Sequence, residues 1–249
     1  MISTKIKSEV KDLRTSNILK IYQACLRLKY TDHKLFVQLN SQVKKRLKYL
    51  YGKNIISCCA SNIACKYEEA EKFTKTMLTH FIDNNLINKL VQKDLVNLLV
   101  LMHEVSKFNL DFSENIFLFR TNCKMLVDQA VKIFLDRQRK YLQTAKNSPR
   151  SQEDVENVEI SLRNQLIPVY YTNKFLRSLI FLKYYDKNVI SMIQTLLNGN
   201  FAVSMEDLLY MITYALKYKE ASKNSEFSID SIIQKAFPKL EESLSKVKF

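Results

Sequence analysis

Apolar positions recur along this chain with the 3.6-residue period of helices that bury one face. Ile18, Ile21, Tyr22, Cys25 and Leu26 fall at i, i+3, i+4, i+7 and i+8, predicting a first helix that ends near Lys29-Tyr30. Thr31-Asp32 follows, and Asp32 is placed to cap a second helix carrying Phe36, Leu39, Val43, Leu47 and Leu50 on one side. Two amphipathic helices joined by a short turn form an αα-hairpin.

The same order repeats. Lysine-aromatic pairs stand at Lys29-Tyr30, Lys66-Tyr67, Lys107-Phe108, Lys183-Tyr184 and Lys217-Tyr218, spaced by 37, 41, 76 and 34 residues. The long interval is twice 38, and Lys140-Tyr141 is a weaker beat inside it. Seven and eight residues before each lysine stand Tyr22 and Ile21, Cys59 and Cys58, Val100 and Leu99, Leu176 and Phe175, and Tyr210 and Leu209, all expected inside. After each pair, a capping-type residue precedes an apolar one by four: Asp32 and Phe36, Glu69 and Phe73, Ser113 and Phe117, Asp186 and Ile190, Ser228 and Ile232. A period near 37 predicts an all-α fold, an α-solenoid of about five to six αα-hairpin repeats.

Two places break the rhythm. From about Ser113 a longer helix is expected through Phe119, Cys123, Leu126, Ala130 and Phe134 to about Ala145. Residues 146–157 are polar and predict a loop. The expected organisation is therefore N-terminal repeats over 1–145, a polar insertion over 146–160 and C-terminal repeats over 161–249, as one continuous array. The last unit has a long turn, Lys219 to Phe227, before Ile229, Ile232, Ile233, Ala236 and Phe237.

Composition agrees with helices and narrows the chemistry. Hydrophobic residues make up 47% of 249, enough for a full core. Glycine occurs only at Gly52 and Gly199, too few for tight hairpins or a phosphate-cradling loop. The five cysteines, Cys25, Cys58, Cys59, Cys65 and Cys123, sit in apolar helical contexts without disulfide or zinc spacing and read as buried thiols. His33, His80 and His103 are the only histidines, and His103-Glu104 lacks the second histidine of a zincin. The expectation is a protein that is not an enzyme, with no cofactor, no metal and no small-molecule substrate. No apolar run reaches membrane-spanning length, so no membrane insertion is expected. The start, Met1 to Arg14, is basic but carries Glu9 and Asp12, which makes it a poor organellar presequence.

The formal charge is +14. Self-repulsion of that size points to a polyanionic partner. Abundant Asn, Ile, Tyr and Phe also fit an AT-rich coding sequence, which raises lysine content without such a partner; acidic proteins and membrane surfaces are further anionic partners. Candidate phosphate contacts are the clusters Lys44, Lys45, Arg46 and Lys48, and Arg137, Arg139 and Lys140, together with a ladder of Lys29, Lys66, Lys107, Lys183 and Lys217 along one edge of the array. Lysines in a last turn also favour the helix dipole, and their stems cover apolar surface.

The stretches NILKIYQACLRLKYTDHKLFVQL and DLVNLLVLMHEVSKFNLDFSENIFLF resemble the heptatricopeptide and octotricopeptide repeats of organellar RNA-binding proteins, the arrays that accompany RAP domains and FASTK-type proteins and abound in apicomplexan organelles. The resemblance covers most of residues 15–145 and 165–240. It implies a helical-repeat fold, RNA as partner and a mitochondrial-matrix location, with another organelle or the cytoplasm as the alternative. Family members that act as nucleases carry a carboxy-terminal RAP module, whereas this sequence stays helix-like through Leu240, Leu244 and Val247. The expectation is a structural RNA-binding subunit of a mitochondrial ribosome, contacting rRNA and neighbouring proteins of the particle. The alternatives are a free RNA-stability or processing factor and a protein-protein scaffold.

Overall fold

The computed structural model describes residues 10–108, 114–147, 171–199, 203–222 and 229–245. Among these residues the chain is all-α, with ten α-helices and no strand: α1 (Thr15–Leu28), α2 (His33–Lys45), α3 (Gly52–Ala64), α4 (Ala70–Asp83), α5 (Gln92–Val105), α6 (Glu114–Asn147), α7 (Thr172–Phe181), α8 (Lys187–Asn198), α9 (Met205–Ala221) and α10 (Asp230–Ser245). Short 3-10 turns, Leu47–Tyr49 and Leu86–Lys89, follow α2 and α4. The expected caps Ser113 and Ser228 and the insertion from residue 148 onward lie outside the described residues, as do residues 1–9 of the basic start.

The chain divides into two compact units, Met1–Leu90 with Val100–Gln129, and Val91–Leu99 with Ala130–Phe249. In the first, α1 packs on α2 and α3, and α3 on α4. Ile18, Tyr22 and Cys25, then Phe36, Leu39 and Val43, then Ile55, Cys58 and Cys59, then Phe73, Met77 and Phe81 fill its core. In the second, α7 packs on α9, α8 on α10 and α9 on α10. Its core holds Phe175, Leu176 and Leu179 with Ile190, Ile193, Leu208, Met211, Tyr214 and Ile232. Phe134, in the second half of α6, stacks on Phe175 with ring centroids 3.7 Å apart.

Three of the lysine-aromatic pairs share one conformation. Lys29, Lys66 and Lys183 have φ of 49°, 50° and 53°, the left-handed region. The amide of the next aromatic reaches back five residues, Tyr30 to the Cys25 carbonyl at 3.0 Å, Tyr67 to Asn62 at 3.0 Å and Tyr184 to Leu179 at 2.9 Å. Each lysine amide meanwhile donates to the carbonyl three residues earlier, at Leu26, Ile63 or Ile180. This is the Schellman closure, which satisfies carbonyls that a helix end leaves open and usually places glycine where these lysines stand. In a chain with two glycines, lysine occupies that position three times.

The other two pairs depart from the expectation. Lys107 ends its helix without the left-handed turn: Lys107 and Phe108 donate to Glu104 and Val105, each three residues back. Lys217-Tyr218 is no helix end at all, since α9 continues to Ala221. Counting back from the true end at Ser222 gives Ala215 and Tyr214, both buried, whereas Leu209, eight before Lys217, is exposed. Val100 and Phe237, also expected inside, are exposed too. Lys140 lies within the unbroken α6.

Asp32 and Asp186 cap as expected, accepting from the Leu35 amide at 3.0 Å and the Asn188 amide at 2.6 Å. Glu69 occupies the equivalent position without a side-chain cap bond. Asp207 does more. It closes a capping box with Ser204 at the start of α9 and accepts from the Asn173 amide at the start of α7, so one buried carboxylate holds two helix N-termini.

Candidate nucleic-acid interface

The first unit is knit by polar groups that the apolar pattern hides. Tyr22 of α1 donates its hydroxyl to Asn40 Oδ1 of α2. Asn40 Nδ2 donates to Asn62 Oδ1 of α3 at 2.9 Å, Asn62 Nδ2 returns a bond to Asn40 Oδ1 at 3.2 Å, and Asn62 Nδ2 also reaches the Cys58 carbonyl at 2.9 Å. All three side chains are buried. Burial pushes the Tyr22 hydroxyl well above its usual pKa, which keeps it a neutral donor. At the other end of α2, Tyr67 stacks on Phe36 at 5.6 Å and lies 5.3 Å from the His33 ring. The Lys66-Tyr67 closure of α3 therefore sits against the first turn of α2, directly after the Lys29-Tyr30 closure of α1.

These contacts sort the candidate lysines of this unit into two places. Lys29 and Lys66 lie at the start of α2 and are exposed. Lys44, Lys45, Arg46 and Lys48 lie at its far end, about 20 Å away for a helix of this length. The two places differ in charge. Acids follow each ladder lysine: Asp32 after Lys29, His33-bound Glu68 and Glu69 after Lys66, and, in the second unit, Asp186 after Lys183. Lys107 and Lys217 are paired within their own helices, to Glu104 at 2.8 Å and Glu220 at 2.7 Å. The Lys217 pKa is raised by its hydrogen bond to that carboxylate. The ladder is locally balanced.

The far end of α2 is not. Residues 33–67 contain no acidic residue and seven basic ones. Lys44, Lys45, Arg46, Lys48 and Lys53 belong to this end of α2 and its link to α3, while Lys34 and Lys66 lie at the start of α2. Residues 13–67 hold eleven basic residues and one acid, so under a quarter of the chain carries +10 of the formal +14. A running count of charge along the sequence finds this segment; the repeat spacing does not. Lys44 lies over the Phe73 ring at 5.9 Å and Lys48 over Tyr49 at 4.9 Å, while Lys45 is exposed. Arg46 is structural. Its guanidinium donates to the Leu13 carbonyl at 2.5 Å and the Lys11 carbonyl at 3.2 Å, pinning the turn before α1, and the acid this contact brings near is Asp12.

In the second unit, Arg139 pairs with Asp136 at 3.5 Å on its own helix. Lys140 beside it is exposed and Arg137 half-buried, and both are engaged. This cluster is smaller and more compensated than the one at residues 44–53.

The cysteines are free thiols. Burial raises Cys25 to about 11 and Cys59 to about 12, so neither is a ready nucleophile or ligand at neutral pH. Among the described residues no group of three His, Cys, Asp or Glu side chains is placed to hold a metal, and no helix is long and apolar enough to cross a membrane. Protein-family models, curated proteins and solved structures offer no match to this chain, so the reading of its function rests on its own residues.

Proposed function

We propose that this chain is an α-solenoid of five αα-hairpins that binds RNA, chiefly through the basic end of α2 and its link to α3. The observation that carries the reading is the run Lys44, Lys45, Arg46, Lys48 and Lys53 inside residues 33–67, which contain no acid, within a stretch (13–67) that holds +10 of the formal +14. An acid-free segment of this kind neutralises phosphates without regard to sequence. The helix packing supports the repeat architecture. In both units a helix touches the one two places further on, α1 on α3, α7 on α9 and α8 on α10, as stacked hairpins do. The left-handed lysines add a smaller argument: glycine would hold the same closure at lower cost, yet a cation stands there three times.

Within this reading, the chain serves as a structural subunit of a mitochondrial ribosome in the matrix, surrounded by rRNA and neighbouring proteins. That assignment rests on the likeness to organellar repeat arrays together with the charge; a free RNA-stability factor is the second reading. Binding to a structured RNA across a salt series tests the proposal. Affinity is expected to fall steeply with salt, each neutralised phosphate adding about 0.7–0.9 to the logarithmic slope. A flat slope, or no binding at low salt, ends the RNA reading. Sedimentation of organelle lysates then separates particle subunit from free factor, the latter staying in the light fractions.

A further inference from the structure

The link between α2 and α3 presents more than charge. Tyr49 and Tyr51 are 68% and 70% exposed, while Leu50 between them is buried at 5%. The 3-10 turn ends at Tyr49, and the backbone at Leu50 (φ −88°, ψ 135°) and Tyr51 (φ −76°, ψ 154°) is extended. Leu50 anchors the link, and both tyrosines stand in solvent on either side of it. Lys48 covers the Tyr49 ring and Lys53 follows Tyr51, with no acid nearer in sequence than Asp32 or Glu68.

The position is held firmly. A Cβ on Gly52 would stand 2.9 Å from both Leu90 Cδ2 and Phe81 Cε2 and 3.3 Å from the Leu86 carbonyl oxygen, so the backbone after Tyr51 lies directly on the core. Two large aromatic side chains left in water on a fixed backbone, one of them under a lysine, match the way single-stranded nucleic acid is gripped: bases stack on rings while lysines follow the phosphates. A duplex keeps its bases stacked on one another and offers nothing for these rings.

We infer that Tyr49 and Tyr51 form a base-stacking element for single-stranded RNA, flanked by Lys45, Lys48 and Lys53. This rests on the RNA-binding reading and adds the class of RNA and the residues that sense it. The test measures fluorescence anisotropy of the full chain with a labelled 12-nucleotide oligouridylate and with a 12-base-pair RNA duplex at equal salt. The single strand is expected to bind more tightly. Tyr49→Ala/Tyr51→Ala should weaken it about tenfold or more, the size of one lost base stack, with little effect on the duplex. Tyr49→Phe/Tyr51→Phe should restore it, since the ring and not the hydroxyl stacks. Equal affinity for strand and duplex, or an alanine variant that binds as the parent does, overturns the stacking element. If Lys45→Glu/Lys48→Glu still abolishes binding in that case, the RNA reading survives alone and the tyrosines belong to a protein contact. Failure of the parent chain to bind either RNA removes both.

Discussion

Asn40 and Asn62 face each other inside the first unit and exchange two amide hydrogen bonds, at 2.9 and 3.2 Å, across 22 residues of sequence. Each amide also serves a third group, Tyr22 or the Cys58 carbonyl, so removing either strands a buried donor or acceptor. Asn62→Ala is expected to cost about 2–3 kcal/mol and to lower Tm by roughly 4–12 °C. Asn40→Ala/Asn62→Ala should cost less than the sum of the single changes, because the second finds its partner already gone. Thermal unfolding of the three variants checks the coupling, and strict additivity would contradict the shared network.

Lysine at the helix ends allows an unusual contrast. Lys29→Gly, Lys66→Gly and Lys183→Gly should each stabilise the fold by about 1 kcal/mol, since glycine adopts the left-handed turn without a Cβ penalty. Lys107→Gly should bring no gain, lacking that turn, and Lys217→Gly should cost about 1 kcal/mol from the interior of α9. Urea midpoints across the five variants read the series. A uniform response would contradict the division into three closures, one plain end and one mid-helix site.

Gly52→Ala places a methyl group 2.9 Å from the Phe81 ring, which is itself fully buried. The ring has nowhere to retreat, so a loss of about 1–2 kcal/mol is expected despite alanine's better helix propensity. The same change displaces the neighbouring Tyr51, and RNA affinity should fall with stability. A variant as stable as the parent would show that the link is not pressed on the core as described.

Buried thiols give the stability a direction with pH. Folding raises Cys25 from about 9 to about 11 and Cys59 from about 9 to about 12. Below pH 9 both states hold these protons and the contribution is complete. Above it the unfolded chain releases them first, so stability is lost as pH rises from about 9 through 11 to 12. Urea unfolding at pH 8 and pH 10 should show the lower midpoint at pH 10. Iodoacetamide at pH 8 should modify Cys58 and Cys59 only once the chain is unfolded.

Much of the helical order was legible because scarce glycine and a 3.6-residue rhythm leave few alternatives, and the ends at Lys29, Lys66 and Lys183 fell where the repeat put them. Lys217 did not, because a lysine-tyrosine pair carries no stop of its own. The chain turns there only if the closure forms, and α9 gains more by continuing to Ala221. The pairing of Asn40 with Asn62 arises only where their helices pack side by side, which the spacing along one helix does not give. At the candidate interface, the cluster at Lys44 to Lys48 was visible as a run of charge. Its separation from Lys29 and Lys66, and the loss of Arg46 to a carbonyl contact, depend on which end of α2 each residue meets. Leu50 is buried, as its place in the apolar pattern predicts. Yet α2 ends at Lys45 rather than running through it, and the extended link that replaces the helix leaves Tyr49 and Tyr51 exposed.

The seat of Tyr67 on the first turn of α2 has a consequence for how this protein is made. The contacts that join α1, α2 and α3 link residues 14 to 35 positions apart, and Tyr67, beside Glu68, is among the last of them to be synthesised. Once it has left the synthesising ribosome, the amide network and the ring stack of the first hairpin have every partner they use. The contacts among α1, α2 and α3 can thus form in order of translation, while the seat of Gly52 on Phe81, Leu86 and Leu90 waits for the residues that follow.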